Sequence, residues 1–214
     1  TPTPVYRCQK LDILFIVDSN QRIDFESNFE QIKQIMISIT KQYRIGPPDG
    51  AQFAAVQYNR QGQLLWYFNT FDNLGDLDNQ ISDISWKPGV SNTTQAFEKA
   101  EIVLSGHGVR ADAPNAIVFF AAGAHTKGYP DPVPVAQQIR EKYKVRIISV
   151  ALPLRSKVER DNNYKELVLI SGDPSYVVNV DEWNQLGSHL NDVLDLMPCP
   201  YEACSGDITF IMET

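Results

Sequence analysis

The chain has 214 residues, of which 43% are hydrophobic and 21% charged. This composition is typical of a folded globular domain with one sizeable core. The formal net charge of −7 and the absence of any basic run argue against binding to nucleic acid or to an anionic membrane surface. No apolar stretch approaches the roughly 18 residues that a membrane span needs, so membrane insertion is not expected either.

Near-continuous apolar runs alternate along the chain with segments whose apolar residues recur at helical spacing. The first pattern predicts buried strands and the second predicts amphipathic helices. In chain order the predicted elements are a strand at 11–17, a helix at 24–43, strands at 51–58 and 63–69 joined by a tight turn at 59–62, helices at 73–81 and 93–104, a strand at 116–121, a helix at 133–143, a strand at 145–151, a short helix at 163–170, a strand at 176–180 and a helix at 181–196.

This alternation predicts an α/β fold, a doubly wound and mostly parallel six-stranded sheet with helices on both faces and one antiparallel edge strand from the hairpin. In such sheets the functional site lies in the crevice beyond the carboxyl ends of the strands. The loops that follow residue 17, precede residue 93 and follow residue 121 are therefore the places where a site is expected.

Three cysteines, Cys8, Cys199 and Cys204, lack the spacing of a zinc site. Cys8 precedes the first predicted strand and Cys199 follows the last predicted helix, so a disulfide between them would join the two ends of one domain. We favour this bridge, which implies an oxidising compartment. The alternative is that all three cysteines are free thiols of a cytosolic protein.

The carboxyl-terminal tail resembles the first strand of the chain itself. Residues 207–214 read DITFIMET, residues 12–19 read DILFIVDS, and a cysteine precedes each. This similarity predicts one domain at 8–199, followed at 200–214 by a linker and the first strand of a second repeat. The alternative is that residues 208–212 form an extra strand of the first domain.

Three blocks of sequence point to a known family. They are residues 11–19 (LDILFIVDS), residues 86–94 (WKPGVSNTT) and the strand and turn at 117–123. Their order and spacing resemble the von Willebrand factor type A domain, the Rossmann-like fold of the integrin inserted domain and of many matrix proteins. The resemblance covers roughly residues 8–199 and implies the same α/β fold.

The resemblance also implies a metal-ion-dependent adhesion site, built from an Asp-x-Ser-x-Ser loop, a threonine from a second loop and an aspartate before a glycine. A hard divalent cation such as Mg²⁺ takes about six oxygen ligands there and leaves a position for a ligand carboxylate. The corresponding positions of this sequence are Asp18, Asn20, Arg22, Ser91 and Ala122.

Several of these positions lack a metal ligand. Arg22 and Ala122 supply no oxygen, and the Arg22 guanidinium adds a fixed positive charge. We therefore expect a degenerate site with no metal and no other cofactor, in which Arg22 folds onto Asp18. The alternatives are that Arg22 points into solvent, or that Asp18 still binds magnesium. Asp131 could supply a replacement ligand, but between two prolines it is better interpreted as a solvated turn residue.

Asn92-Thr93-Thr94 is an N-glycosylation sequon in the second loop of the same site. In a secreted protein it predicts a glycan at Asn92, although a motif this short also arises by chance.

The sequence and the resemblance together predict a non-enzymatic adhesion module that is secreted or belongs to the ectodomain of a membrane protein. Neither a phosphate-binding Gly-x-x-x-x-Gly-Lys loop nor a Gly-x-Ser-x-Gly elbow is present. The expected partner is a protein, either a matrix protein or a second copy of the chain, and the possible ligand face includes Arg22, Tyr129 and Asp131. The alternatives are a Mg²⁺- or Mn²⁺-dependent adhesion domain that binds a ligand carboxylate through Asp18, and a purely structural matrix repeat.

Overall fold

A computed structural model of the chain describes residues 10–198. The three cysteines and the tail at 200–214 lie outside the described residues. The disulfide between Cys8 and Cys199, the partner of Cys204 and the second repeat therefore stay predictions.

Six strands form a single sheet, and their spatial order is β3-β2-β1-β4-β5-β6. All neighbouring pairs are parallel except β2 and β3, which form an antiparallel hairpin at one edge. The predicted fold class is thereby confirmed. The strands are β1 (Asp12–Asp18), β2 (Gln52–Tyr58), β3 (Gly62–Trp66), β4 (Asn115–Ala121), β5 (Arg146–Ala151) and β6 (Val177–Asn179).

Helices cover both faces of the sheet. They are α1 (Glu26–Thr40), α2 (Leu74–Ser82), α3 (Thr93–Leu104), α4 (Val133–Tyr143), α5 (Lys157–Ser171) and α6 (Leu190–Asp195). In the described part of the chain, none of them is long and apolar enough to cross a membrane.

The side chains of the central strand β1 divide between two hydrophobic cores because successive residues of a strand point to opposite faces. Ile13, Phe15 and Val17 join the core beneath α1, α2 and α6. Leu14 and Ile16 join the core beneath α3, α4 and α5. Burial on both faces explains the continuous apolar sequence of this strand.

Two predicted helices differ from the structure. α5 begins at Lys157 rather than at residue 163. The sequence pattern missed its first turns because they are polar and largely exposed and therefore lack an apolar stripe. The last predicted helix is split into a 3₁₀ segment at Trp183–His189 and the short α6. Gly187 lies inside the 3₁₀ segment, and a glycine there disfavours a continuous α-helix by about 1 kcal/mol.

A buried ion pair fixes the amino end of β1, far from the expected site. The Arg110 side chain donates to Asp12 Oδ1 from Nε at 2.9 Å and from Nη2 at 2.6 Å. Its Nη1 also donates to the carbonyls of Pro48 and Gly50, at 3.0 and 2.8 Å. Burial raises the pKa of Asp12, and the adjacent Arg110 acts in the opposite direction.

Replacing Arg110 by methionine is expected to lower the free energy of unfolding by about 3 kcal/mol, because it leaves the Asp12 carboxylate buried without its partner. Equilibrium urea unfolding measures the loss. The Asp12→Asn/Arg110→Met double variant should lose less than the sum of the two single variants. Lys10→Gln removes a pair with the exposed Asp112 and is the control, with no measurable loss expected; equal losses in Arg110→Met and Lys10→Gln would contradict the prediction.

Candidate functional site

The candidate site is centred on Asp18, the last residue of β1, where the carboxyl ends of β2 and β4 flank it. The Asp18 side chain is 0% exposed and is held by three N–H donors. Asn20 N donates to Oδ1 at 2.8 Å, Asn20 Nδ2 donates to Oδ2 at 2.7 Å, and Ala122 N donates to Oδ2 at 3.0 Å. Two loops that are distant in sequence therefore meet on one carboxylate.

The Asn20 amide bridges the two sides of the site. Besides donating to Asp18, its Nδ2 donates to the Ala122 carbonyl at 2.9 Å. Its Oδ1 accepts from Arg22 N at 2.6 Å and so caps the 3₁₀ turn at Gln21–Ile23. That bond directs Nδ2 inward, so an N–H donor lies between a carboxylate oxygen and a carbonyl oxygen.

The three donors do not offset the full cost of burying the Asp18 charge. Burial raises the pKa of Asp18 to about 6, although the hydrogen bonds from Ala122 and Asn20 act in the opposite direction. Hydrogen bonds to the ionised form lower a carboxyl pKa, whereas removal from water raises it. Here the removal from water is the larger effect.

Three buried hydroxyl groups lie on the other side of Asp18. They belong to Tyr58, which pairs with Asp18 in the β1–β2 register, and to Ser91 and Thr93. Within the described residues none of the three hydroxyls makes a hydrogen bond of normal geometry. Burial, followed by the charge of Asp18, raises the pKa of Tyr58 well above its usual range.

Arg22 lies elsewhere than expected. Its Nη1 donates to the Ala124 carbonyl at 3.3 Å, and its Nε is 3.6 Å from Glu159 Oε1 on α5. Among the described residues it forms no ion pair with Asp18, because the Asn20 amide already occupies that place. The side chain crosses Gly123, where an added Cβ would lie 2.9 Å from Nη1. Arg22 thereby lines a cavity of about 350 Å³ against α5.

The side chains at the remaining predicted positions form no hydrogen bond with Asp18 among the described residues. Ala122 contributes its backbone N–H and carbonyl. Ser91 is tied to the third loop, since Ser91 N donates to Thr126 Oγ1 at 3.0 Å and Thr126 N donates to Ser91 O at 2.8 Å. Asp131 is exposed and accepts from Val133 N at 2.9 Å, at the start of α4. Tyr129 is partly exposed.

Sequence patterns alone do not place the side chains of Tyr58, Thr93 and Glu159 at the site. The position of Tyr58 could have been predicted, because Tyr58 ends a predicted strand and the carboxyl ends of parallel strands share one edge of the sheet. Glu159 falls in the polar first turns of α5, which carry no periodic signal.

These residues do not fit a divalent cation. Among residues 10–198, Asp18 is the single carboxylate at the centre, and the inward atom of Asn20 is a donor rather than a metal-ligating oxygen. Across the described part of the chain, no group of three or more His, Cys, Asp or Glu side chains has the arrangement of a metal site. A cation at this position also needs side-chain oxygens that Arg22 and Ala122 cannot supply, and the Ala122 carbonyl already accepts from Asn20 Nδ2.

The fold and the site define a doubly wound α/β domain with a polar centre at the carboxyl end of its middle strand. A family model described as the von Willebrand factor type A domain matches residues 12–192. The chain therefore belongs to the von Willebrand factor type A domain family, and the resemblance found in the three sequence blocks is confirmed.

Curated relatives include matrix and cell-surface proteins. The chain is 26% identical over 211 residues to the collagen alpha-5(VI) chain of Homo sapiens, covering 96% of this chain and 8% of that protein. It is 25% identical over 190 residues to integrin alpha-D of Homo sapiens, covering 87% of this chain and 16% of that protein. The chain thus spans a small part of the length of either relative.

A solved structure supports the fold. Proximal thread matrix protein 1 from the mussel byssus, described with a zinc-occupied MIDAS motif, superposes with a TM-score of 0.77 at 20% sequence identity. The match covers 90% of this chain and 46% of that chain. At this identity the likeness concerns the arrangement of strands and helices.

Stability is expected to depend on the protonation of Asp18. Its folded pKa of about 6 lies above the unfolded value of about 3.9, so the folded state binds more protons between these values. The contribution to stability is therefore fully present below about pH 4 and is lost as the pH rises through 6, by about 3 kcal/mol. Asp18→Asn cannot titrate, so the stability difference between wild type and variant should change by this amount between pH 4 and pH 7 in urea unfolding. A constant difference across that range would contradict the assignment.

The burial of the Asn92 side chain disfavours the predicted glycan at this residue. The Asn92 side chain is 7% exposed, its Nδ2 donates to the Arg60 carbonyl at 3.2 Å, and it caps α3. We therefore expect Asn92 to remain unmodified when the domain is secreted from mammalian cells, as measured by mass spectrometry before and after amidase treatment. Gly75→Ser provides the control, because it creates a sequon at Asn73, an exposed cap of α2, which should be glycosylated. A glycan on most copies of Asn92 would show that the loop opens.

Proposed function

We propose that this domain is an extracellular protein-interaction module that binds a protein ligand without a divalent cation and without catalysing a reaction. The observation that carries the proposal is the Asn20 amide, whose Nδ2 lies 2.7 Å from Asp18 Oδ2 and 2.9 Å from the Ala122 carbonyl. An N–H donor in this position satisfies both oxygens and at the same time repels a metal ion.

The family supports the interaction role and the compartment. The relatives include several collagens and an integrin, which are proteins of the extracellular matrix and the cell surface. An extracellular location also suits the predicted disulfide between Cys8 and Cys199. A protein ligand, from the matrix or from a second copy of the chain, is therefore the partner we propose.

The Asn20 amide also separates this proposal from the metal-dependent alternative. In that alternative Asp18 ligates a cation that then receives a carboxylate from the partner. Asp18 Oδ2 already accepts two hydrogen bonds and Oδ1 accepts one. A cation on Oδ2 would have to displace one of its two donors, and a cation on either oxygen would be repelled by the inward N–H of Asn20 and by the charge of Arg22.

The proposal predicts that Mg²⁺ or Mn²⁺ at 10 mM leaves the melting temperature of the wild-type chain unchanged relative to EDTA. The Asn20→Ser/Arg22→Ser/Ala122→Asp variant should instead be stabilised. A ligand at 100 times its dissociation constant contributes about 2.7 kcal/mol, which corresponds to a rise of about 5–10 °C for a domain of this size. Differential scanning calorimetry measures both.

Asn20→Ser/Arg22→Ser/Ala122→Asn is the matched control, since it has the same shape but lacks the second carboxylate and should not respond to magnesium. An EDTA-sensitive stabilisation of the wild-type chain by magnesium would overturn the metal-independent proposal. Equal responses of the two triple variants would show that the restored carboxylate is not a ligand.

A further inference from the structure

Four loops meet above Asp18 and form one rigid surface, here called the loop platform. It consists of residues 20–23, 59–61, 86–92 and 122–129. Backbone hydrogen bonds join the loops pairwise: Gln21 N donates to Gly89 O at 2.9 Å, Asn92 N donates to Asn59 O at 2.8 Å, and Thr126 N donates to Ser91 O at 2.8 Å. Because each loop is tied to a neighbour, the backbone from which the platform side chains project is held in place before any partner binds.

The platform is basic although the chain is acidic. Its four loops contain Arg22, Arg60, Lys87 and Lys127 and contain no Asp or Glu. Removing these four cations from the 19 Lys and Arg of the chain leaves 15 against 26 Asp and Glu, so the rest of the protein carries a net charge of −11. The platform therefore carries four cationic side chains and no carboxylate, whereas acidic side chains are in excess in the rest of the chain.

Three of the four cations face solvent without an acidic partner. Arg60, Lys87 and Lys127 are exposed, and the ion pairs found among residues 10–198 include none of them. Lys87 Nζ donates to the neutral Gln63 Oε1 at 2.8 Å. Arg22 is partly offset by Glu159, and its side chain is 35% exposed.

Four acidic side chains that flank the platform have partners of their own. Glu159 faces Arg22, and Glu166 accepts a hydrogen bond from His125 N at 2.8 Å. Asp24 pairs with Arg155, whose Nε lies 2.9 Å from Asp24 Oδ2. Asp131 accepts a hydrogen bond from Val133 N. None of these four acids lies on the platform loops themselves.

We propose that the loop platform binds a short acidic segment of a partner protein directly through Arg60, Lys87 and Lys127, with Arg22 at the edge. This inference rests on the proposed function, because it names the chemistry of the partner at the same end of the domain. A surface that is ordered in advance loses little conformational freedom on binding, and opposite charges guide the encounter.

The charge distribution favours a short protein segment over a long sulfated polysaccharide. Charges interact over about 10 Å at 0.1 M salt. A chain of sulfates that continues past the platform would meet the acidic remainder of the domain, which carries −11, whereas three or four carboxylates can be accommodated on the platform alone.

The test uses a fluorescent peptide with four consecutive glutamates flanked by Gly-Ser pairs, and the whole 214-residue chain, in EDTA and 50 mM NaCl. Fluorescence anisotropy should show saturable binding that weakens at least about tenfold at 500 mM NaCl, because salt screens exposed charges. Arg60→Gln/Lys87→Gln/Lys127→Gln should weaken binding by about tenfold or more, given about threefold for each exposed ion pair. The same peptide with four glutamines should not bind.

The matched control is Lys41→Gln/Arg44→Gln/Lys165→Gln, which removes the same charge from exposed positions outside the platform and should change the dissociation constant less than twofold. Unchanged melting temperatures will show that both triple variants fold. The inference is overturned if the wild-type chain does not bind the peptide, if both variants lose affinity equally, or if a heparin tetrasaccharide binds the platform more tightly than the peptide. Loss of peptide binding alone leaves the metal-independent interaction role intact, because that role is measured by the response to magnesium.

Discussion

The carboxyl end of the sheet depends on the hydrogen bonds that hold one buried carboxylate. Asp18 is removed from water at the end of the central strand, and an ionised group in such a place must be paired or hydrogen-bonded. Its donors come from Asn20, two residues later, and from Ala122, directly after β4. Satisfying the carboxylate therefore fixes the conformation of the first loop and its distance from the third, and the second loop is joined to both through Gly89 and Ser91.

Each end of β1 carries a buried carboxylate, and the two carboxylates are stabilised by different kinds of partner. Asp12 and Asp18 begin and end the strand, and both are buried. Asp12 has a full positive charge beside it in Arg110, so the pair serves as a permanent structural link between β1 and the loops at that end. Asp18 forms no ion pair among the described residues, and burial raises its pKa to about 6 although the N–H donors, the Tyr58 hydroxyl and the charge of Arg22 act in the opposite direction, so no positive charge directly beside it balances its own. In the metal-dependent pattern that the sequence resembles, a cation supplies that charge.

The sequence predicts structure that depends on residues close together in the chain. It does not predict contacts between residues that are far apart in the chain. The strands and most helices are set by local periodicity, so their order, the parallel sheet and the edge hairpin were all predictable. The inward Asn20 amide depends on Ala122, which is 102 residues away, and the position of Arg22 depends on Glu159 in a helix whose first turns carry no apolar pattern. When the partners of a side chain are distant in sequence, the spacing of residues along the chain does not reveal its orientation. The missing side-chain oxygens at positions 22 and 122 were visible in the sequence, but the inward orientation of the Asn20 amide was not.

Replacing a cation by an amide changes what such a surface can recognise. A bound metal concentrates two positive charges at one point and demands a carboxylate at a fixed distance and angle. In this domain the positive charge is distributed over the side chains of Arg60, Lys87 and Lys127, which are long, exposed and separately mobile at their ends. Each contact is then weak and screened by salt, and selectivity must come from the number and spacing of acidic groups rather than from the geometry of a single bond. The hydrogen bonds around Asp18 fix the backbone of the loops that carry these side chains. The loops therefore keep the basic side chains together at one end of the domain.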